Sequence, residues 1–150
     1  MAIDPAALAE KLIAAQGAAC EIEPITASAA DFDIAAGYRV LRLIEERRRT
    51  QGWEAVGRKI GFTNRSIWPR YNVAEPLFAT IWDKTVRFTP SARATIDLRP
   101  FVNPRIEPEI VFKLQSPMPL SDDPAALLSA AEWIAPGFEI VQSPFPNWKF

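Results

Sequence analysis

The chain has 150 residues, of which 49% are hydrophobic and 11% aromatic, and this composition predicts one packed globular domain rather than a disordered segment. Seventeen Lys and Arg nearly balance eighteen Asp and Glu, so we expect neither a nucleic-acid-binding nor a membrane-binding surface. Histidine is absent, which excludes Ser-His-Asp and Cys-His catalysis and means that any metal must be held mostly by oxygen.

The first predicted helix begins at Asp4-Pro5. An aspartate at the capping position followed by proline at the first helical position is a typical helix start. Apolar side chains then recur on one face, and Gly17 supplies a stop. This pattern predicts a short amphipathic helix.

The lone cysteine, Cys20, cannot form an internal disulfide, so a reducing compartment is the simpler inference. The N-terminal residues lack the charged-then-apolar order of a signal peptide, and no apolar run has membrane-spanning length. We therefore expect a soluble, cytoplasmic protein.

A second helix is predicted over residues 31–51. Ser28 and Asp31 have the spacing of a capping box, and Gly52 follows the last turn. The apolar stripe of this helix is expected to comprise Ile34, Tyr38 and Leu41. Together the two helices predict a small helical N-terminal cap over residues 1–52, followed by a strand-rich domain over residues 53–150.

Residues 56–62 alternate like a strand, with Lys59 between Gly57 and Gly61 on one face. Glycines weaken a strand, yet they clear space beside the ammonium for a ligand or another backbone. A surface lysine in a loose strand is the alternative. Residues 64–86 are predicted to be short helical turns and loop, and residues 88–90 and 96–98 to be short strands.

The clearest predicted strand covers residues 105–114 and carries Glu107 and Glu109 on one side. Two carboxylates this close repel each other, so either one is protonated or a cation lies between them. The alternative is an ordinary exposed strand whose glutamates face water.

After a short helix that begins at Asp122-Asp123-Pro124, a last strand is expected over residues 138–142, beyond a break at Pro136-Gly137. Glu139 lies in this strand between apolar neighbours. Three inward carboxylates without histidine or cysteine ligands favour a hard cation, Mg²⁺ or Mn²⁺.

Three segments in this order, GRKIGFT (57–63), PRIEPEI (104–110) and GFEIV (137–141), resemble the 2-keto-4-pentenoate hydratase group of the fumarylacetoacetate hydrolase superfamily. The resemblance covers most of the chain from about residue 31 onward. It implies an α+β fold in which a helical N-terminal cap precedes a mixed β-sandwich roll.

The resemblance also implies that Glu107, Glu109 and Glu139 are metal ligands and that Lys59 is the catalytic lysine. The metal would chelate a short 2-oxo acid and stabilise the charge that develops on its oxygen, while Lys59 moves a proton and water adds to the double bond. We also expect Gly61, Thr63 and Gln142 to contact the substrate.

Two departures from the group's pattern leave alternatives open. Hydratases of this group often carry an acidic residue after the proline that matches Pro76, where this chain has Leu77, which puts the water-activating step in doubt. A decarboxylase of the oxalocrotonate type is the second reading, because both reactions pass through a metal enolate and the sequence motifs do not separate them. Members of the group are also considerably longer. We therefore expect an incomplete roll, an unstable or homo-oligomeric chain, and as a third reading a non-catalytic remnant.

Overall fold

A computed structural model describes residues 3–148 of the chain. Its helices are α1 (Pro5–Gly17), α2 (Ile34–Thr50), α3 (Trp68–Tyr71) and α4 (Pro124–Ser129). Its strands are β1 (Ala55–Gly61), β2 (Leu77–Trp82), β3 (Arg105–Leu114) and β4 (Ala131–Val141). Short 3₁₀ turns lie at Ile25–Ala27, Arg65–Ile67, Asp83–Thr85 and Pro146–Trp148.

Within the described residues, β1 pairs with β2 and β3 pairs with β4, both antiparallel, in separate two-stranded sheets. The predicted α+β class is therefore confirmed, and the mixed β-sandwich roll stays a prediction. The outer ends of the two predicted domains, at residues 1–2 and 149–150, lie outside the described residues.

The two long helices pack against each other around a small apolar core. The predicted cap of α1 is confirmed, because an Asp4 carboxylate oxygen accepts from the backbone N–H of Ala6 at 2.9 Å. Leu8 and Ala9 of α1 meet Val40 of α2 in the buried centre. Around them pack the partly buried residues Ile3, Leu12, Ile25, Phe32, Leu43 and Ile44.

The predicted extent of α2 is close to the observed one, but its predicted cap is wrong. Asp33, rather than Ser28 with Asp31, caps the helix, its carboxylate accepting from the N–H of Ala36 at 2.7 Å. The Ser28 hydroxyl donates instead to the carbonyl of Ile25 at 3.3 Å. Asp33 directly precedes the first helical residue, so its short side chain can reach the free amides of the first turn.

The core-facing side of α2 also differs from the predicted stripe. Val40 is buried against α1, with Leu43 and Ile44 beside it. The predicted stripe residue Tyr38 points toward β2, where its hydroxyl accepts from the backbone N–H of Phe78 at 2.9 Å. The helix therefore uses two faces, one against α1 and one against the first strand pair.

The short helical turns predicted within residues 64–86 are observed at Arg65–Ile67, Trp68–Tyr71 and Asp83–Thr85, but β2 lies in the same segment, so the prediction is wrong over that strand. Its last residue, Trp82, is 1% exposed and meets the ring of Trp53 edge-on at 6.4 Å. The guanidinium of Arg48, on α2, lies 5.8 Å from the same Trp82 ring. Burial there lowers the pKa of Arg48, and the nearby charge of Glu45 opposes that shift. Pairing with β1 makes this six-residue run a strand.

The two short strands predicted at residues 88–90 and 96–98 are absent from the described structure, which has neither helix nor strand over residues 86–104. Phe88 is 82% exposed. Prolines at positions 90, 100 and 104 remove backbone donors, and no neighbouring strand lies alongside to accept the segment.

Strand β3 matches its prediction, whereas β4 begins earlier than predicted and runs through the expected break. Pro136 lies inside β4, opposite Ile110, and Pro108 lies inside β3, opposite Phe138. Each strand of a two-stranded sheet has one unpaired edge, where a residue without an N–H costs no ladder hydrogen bond. None of the helices in residues 3–148 has the length and hydropathy that a membrane crossing requires.

We expect Asp33→Ala to lower the free energy of unfolding by about 1 kcal/mol, because the amides at the start of α2 lose their acceptor. Urea unfolding followed by circular dichroism measures this loss. Asp31→Ala is the matched control, since it removes the same charge two residues earlier, and its effect should stay within about 0.5 kcal/mol. Equal losses in the two variants would contradict the assignment of the cap.

Candidate metal centre

Three carboxylates meet on one face of the β3–β4 sheet. Glu107 lies directly opposite Glu139 in the antiparallel register, and Glu109 lies opposite Gly137. Because side chains alternate along a strand, all three glutamates project from the same face. One oxygen from each carboxylate lies within 4.8 Å of the others. The predicted convergence of the three acids is therefore observed.

Gly137 makes room on this face. A Cβ atom at position 137 would lie 2.8 Å from Cγ2 of Val111, closer than real side-chain atoms approach each other. Val111 is on the same side of β3 as the glutamates, two residues beyond Glu109. A glycine opposite Glu109 therefore lets the side chains beside the carboxylates keep their positions.

Lys59 reaches the carboxylate cluster from the other sheet. Its ammonium donates a hydrogen bond to Oε2 of Glu139, forming an ion pair between residues 80 positions apart. The two side chains are 31% and 33% exposed, so both remain in contact with water. The sequence suggested a protonated acid or a cation between the acids. The structure supplies a cation from the protein itself for one of the three carboxylates.

The pairing of Lys59 with Glu139 was not predicted. The lysine and the glutamate were each singled out for their own local pattern. Nothing in local sequence indicates that two residues so far apart touch, because the contact depends on how the two sheets lie against each other. Opposite charge on two inward-facing positions was the one available signal.

The residues predicted to contact substrate lie in different settings. Gly61 ends β1 opposite Leu77, and a Cβ atom there would meet only the Leu77 carbonyl, at 3.8 Å. Thr63 is exposed and lies beyond the strand, after Phe62, whose φ is 56°. The side-chain oxygen of Gln142 accepts from the backbone N–H of Val102 at 3.1 Å. Their proposed role with substrate stays a prediction.

The donor set suits a hard divalent cation. Carboxylate oxygens are the ligands that Mg²⁺, Mn²⁺ and Ca²⁺ prefer, and softer metals would favour imidazole or thiolate. Two oxygens on opposite sides of Mg²⁺ are about 4.2 Å apart. The observed separations of up to 4.8 Å therefore need only small side-chain movements to hold such an ion.

Comparison with known proteins relates the chain to two kinds of enzyme. It is 29% identical over 144 residues to 2-hydroxyhexa-2,4-dienoate hydratase of Comamonas testosteroni, a match that covers 93% of this chain and 53% of that protein. It is 33% identical over 112 residues to 4-oxalocrotonate decarboxylase of a Pseudomonas species, covering 74% of this chain and 42% of that protein. Proteins named 2-keto-4-pentenoate hydratase also match. No family model matches the chain.

The fold agrees with these relatives. The chain superposes on 4-oxalocrotonate decarboxylase from Pseudomonas putida G7, complexed with magnesium and adipate, with a TM-score of 0.80 at 23% identity. The superposition covers 97% of this chain and 55% of that one. The predicted resemblance to the 2-keto-4-pentenoate hydratase group is thus confirmed, and the chain spans about half the length of the curated relatives it matches.

We expect Gly137→Ala to destabilise the protein by about 1–3 kcal/mol, because the new methyl group would force Val111 out of its position. Thermal or urea unfolding measures the change. Gly57→Ala is the control on the other sheet, where the nearest atom to an added Cβ is Ile81 Cδ1 at 3.8 Å, and it should be close to neutral. An equally neutral Gly137→Ala would contradict the close approach.

Proposed function

We propose that this chain carries the metal-binding part of a hydratase, a carbon–oxygen lyase that adds water to a short 2-oxo or 2-hydroxy dienoic acid such as 2-keto-4-pentenoate. The observation that carries the proposal is the meeting of three glutamates from two strands, with Lys59 in contact with one of them. The names of the hydratases to which the chain is similar support the reaction. We propose the catabolism of aromatic compounds as its setting.

Glu107, Glu109 and Glu139 would hold the ion, which we propose to be Mg²⁺ or Mn²⁺. The all-carboxylate donor set supports this choice, as does the magnesium in a decarboxylase of the same fold. When bound, the ion would supply Lewis-acid stabilisation of negative charge on the substrate's oxygens.

The chain's own residues would bind the substrate and move its protons. The three glutamates would keep the ion on one face of the β3–β4 sheet. Lys59 places beside that face an ammonium that can give a proton to a neighbouring carbon or oxygen, and as the neutral amine it could take one. Gly61, two residues from Lys59 on β1, has no side chain to fill the space on that face. We propose that the substrate occupies this space, with Thr63 and Gln142 at its ends.

A decarboxylase of the oxalocrotonate type is the second candidate. One observation favours it: Leu77 stands where hydratases often have an acidic residue, and it lies opposite Gly61, beside the proposed substrate space. A hydratase needs a group there to orient water, whereas loss of CO₂ does not. Relatives named 4-oxalocrotonate decarboxylase support this reading equally.

The architecture around the site is also a proposal. We propose a helical cap over residues 1–52 and a mixed β-sandwich roll of the fumarylacetoacetate hydrolase type over residues 53–150. The face of the β3–β4 sheet opposite the glutamates suggests a further contact. Six large apolar side chains are exposed on it: Ile106, Ile110, Phe112, Leu114, Ile134 and Phe138. An apolar face of this kind marks a contact surface. We propose that a second copy of the chain covers it in a homo-oligomer.

The reaction is tested by incubating the chain with Mg²⁺ and either 2-hydroxypenta-2,4-dienoate or 4-oxalocrotonate. We expect Mg²⁺-dependent loss of the dienoate without release of CO₂. In Glu107→Gln the rate of this loss should be lower by about a hundredfold or more. Glu132→Gln is the control, because Glu132 lies on β4 but pairs with Lys113 at 2.7 Å. CO₂ release from oxalocrotonate would establish the decarboxylase, and no turnover of either acid would overturn both activities for this chain.

The oligomer is tested by sedimentation velocity. We expect the unmodified chain to sediment as a dimer or larger species, and Ile110→Lys to shift it to monomer because the charge lies in the middle of the apolar face. Ile96→Lys places the same charge in the loop between the sheets and should leave the oligomer intact. A monomeric unmodified chain with a sharp cooperative melt would overturn the homo-oligomer.

A further inference from the structure

Lys59 and a divalent cation would compete for the carboxylate of Glu139. The ammonium already donates to Oε2 of Glu139, and this oxygen belongs to one of the three carboxylates that converge on the β3–β4 face. Glu107 lies directly across the sheet from Glu139, so an ion drawn in by both acids must approach the place that Lys59 holds. The arrangement puts a singly charged protein cation where a doubly charged ion would bind.

We propose that Lys59 is a resident counter-ion of the site, which a divalent cation displaces from Glu139 and so releases toward the substrate. This inference rests on the metal site of the proposed function. In the ion-free protein the ammonium neutralises one of three crowded carboxylates. Once the ion is bound, it and the ammonium repel each other at short range, and the lysine leaves the carboxylate.

The local structure allows this exchange. The Lys59 and Glu139 side chains are each about a third exposed, at 31% and 33%, so water can replace either partner as the pair opens. On β1 the lysine lies between two glycines. Gly57 and Gly61 have no side chains, so nothing projects beside Lys59 from the two nearest same-face positions of β1. The long side chain has space to turn away from Glu139.

The exchange gives Lys59 two roles in sequence. Without the ion, its ion pair links the β1–β2 sheet to the β3–β4 sheet. With the ion, its ammonium is freed beside a centre that attracts an anionic acid. Lys59 is then available to transfer a proton only when the ion needed for the reaction is bound. We therefore expect the ion to bind before the substrate binds productively.

The test is calorimetric titration of the full chain with Mg²⁺ alone, at one pH. Removing the competitor in Lys59→Met should raise the Mg²⁺ affinity by about tenfold or more. Lys113→Met is the matched control: it removes the same charge from the sheet that carries the glutamates, but its partner Glu132 is outside the cluster, so the affinity should change by about twofold at most.

A second measurement follows the amine itself. In protein with ¹³C-methylated lysines, the Lys59 resonance should shift when Mg²⁺ is added and should reach the position it has in Glu139→Gln without Mg²⁺. The Lys113 resonance should stay in place. This readout requires no variant at position 59 and stands if Lys59→Met fails to fold.

The outcomes separate the two proposals. Equal or weaker Mg²⁺ binding by Lys59→Met, or an unmoved Lys59 resonance at saturating Mg²⁺, overturns the displacement and leaves the metal site standing. Binding by Lys59→Met with none detectable in the unmodified chain supports displacement. Absence of Mg²⁺ binding in both proteins overturns the metal site and the displacement together.

Discussion

The register of β3 against β4 is the constraint on which the candidate site depends. It sets Glu107 opposite Glu139 and brings Glu109 onto the same face, opposite a glycine. Because the side-chain period of a strand is two, a slip of one residue would turn one strand's glutamates to the other face and separate the three acids. The same register aligns the apolar residues of both strands on the opposite face. One set of backbone hydrogen bonds therefore determines both the chemical face and the contact face of the sheet.

The two faces of the β3–β4 sheet differ in chemical character: one is acidic and the other is apolar. On the acidic face, three carboxylates share a single lysine from the neighbouring sheet, so negative charge remains in excess. On the other face, Ile110 and Phe138 are 70% and 71% exposed. Crowded charge favours a cation, and exposed apolar area favours burial against another surface. The proposed cation and the proposed second copy would therefore bind on opposite faces of the sheet.

The two long helices, unlike the β3–β4 sheet, bury their apolar residues against each other. Their core of Leu8, Ala9 and Val40 is buried, and α2 also holds the first strand pair through Tyr38 and the stacked Arg48. Trp82 is buried where these elements meet. This contact fixes the orientation of β2 and, through the β1–β2 pairing, the position from which Lys59 extends. The helices therefore contribute to the site indirectly, by placing the strand that carries the lysine.

The sequence alone determined the features that depend on local chemistry and short spacing. These include the helix that starts at Asp4-Pro5, the extent of β3, and the common side of Glu107 and Glu109, since capping and strand alternation act over a few residues. Only the tertiary structure decided the features that depend on a distant partner. Strand β2 exists because β1 pairs with it, Pro136 is tolerated inside β4 because one edge of that sheet is open, and Lys59 meets Glu139 because two sheets lie side by side. Such contacts arise from packing between segments far apart in the chain, which no local pattern encodes.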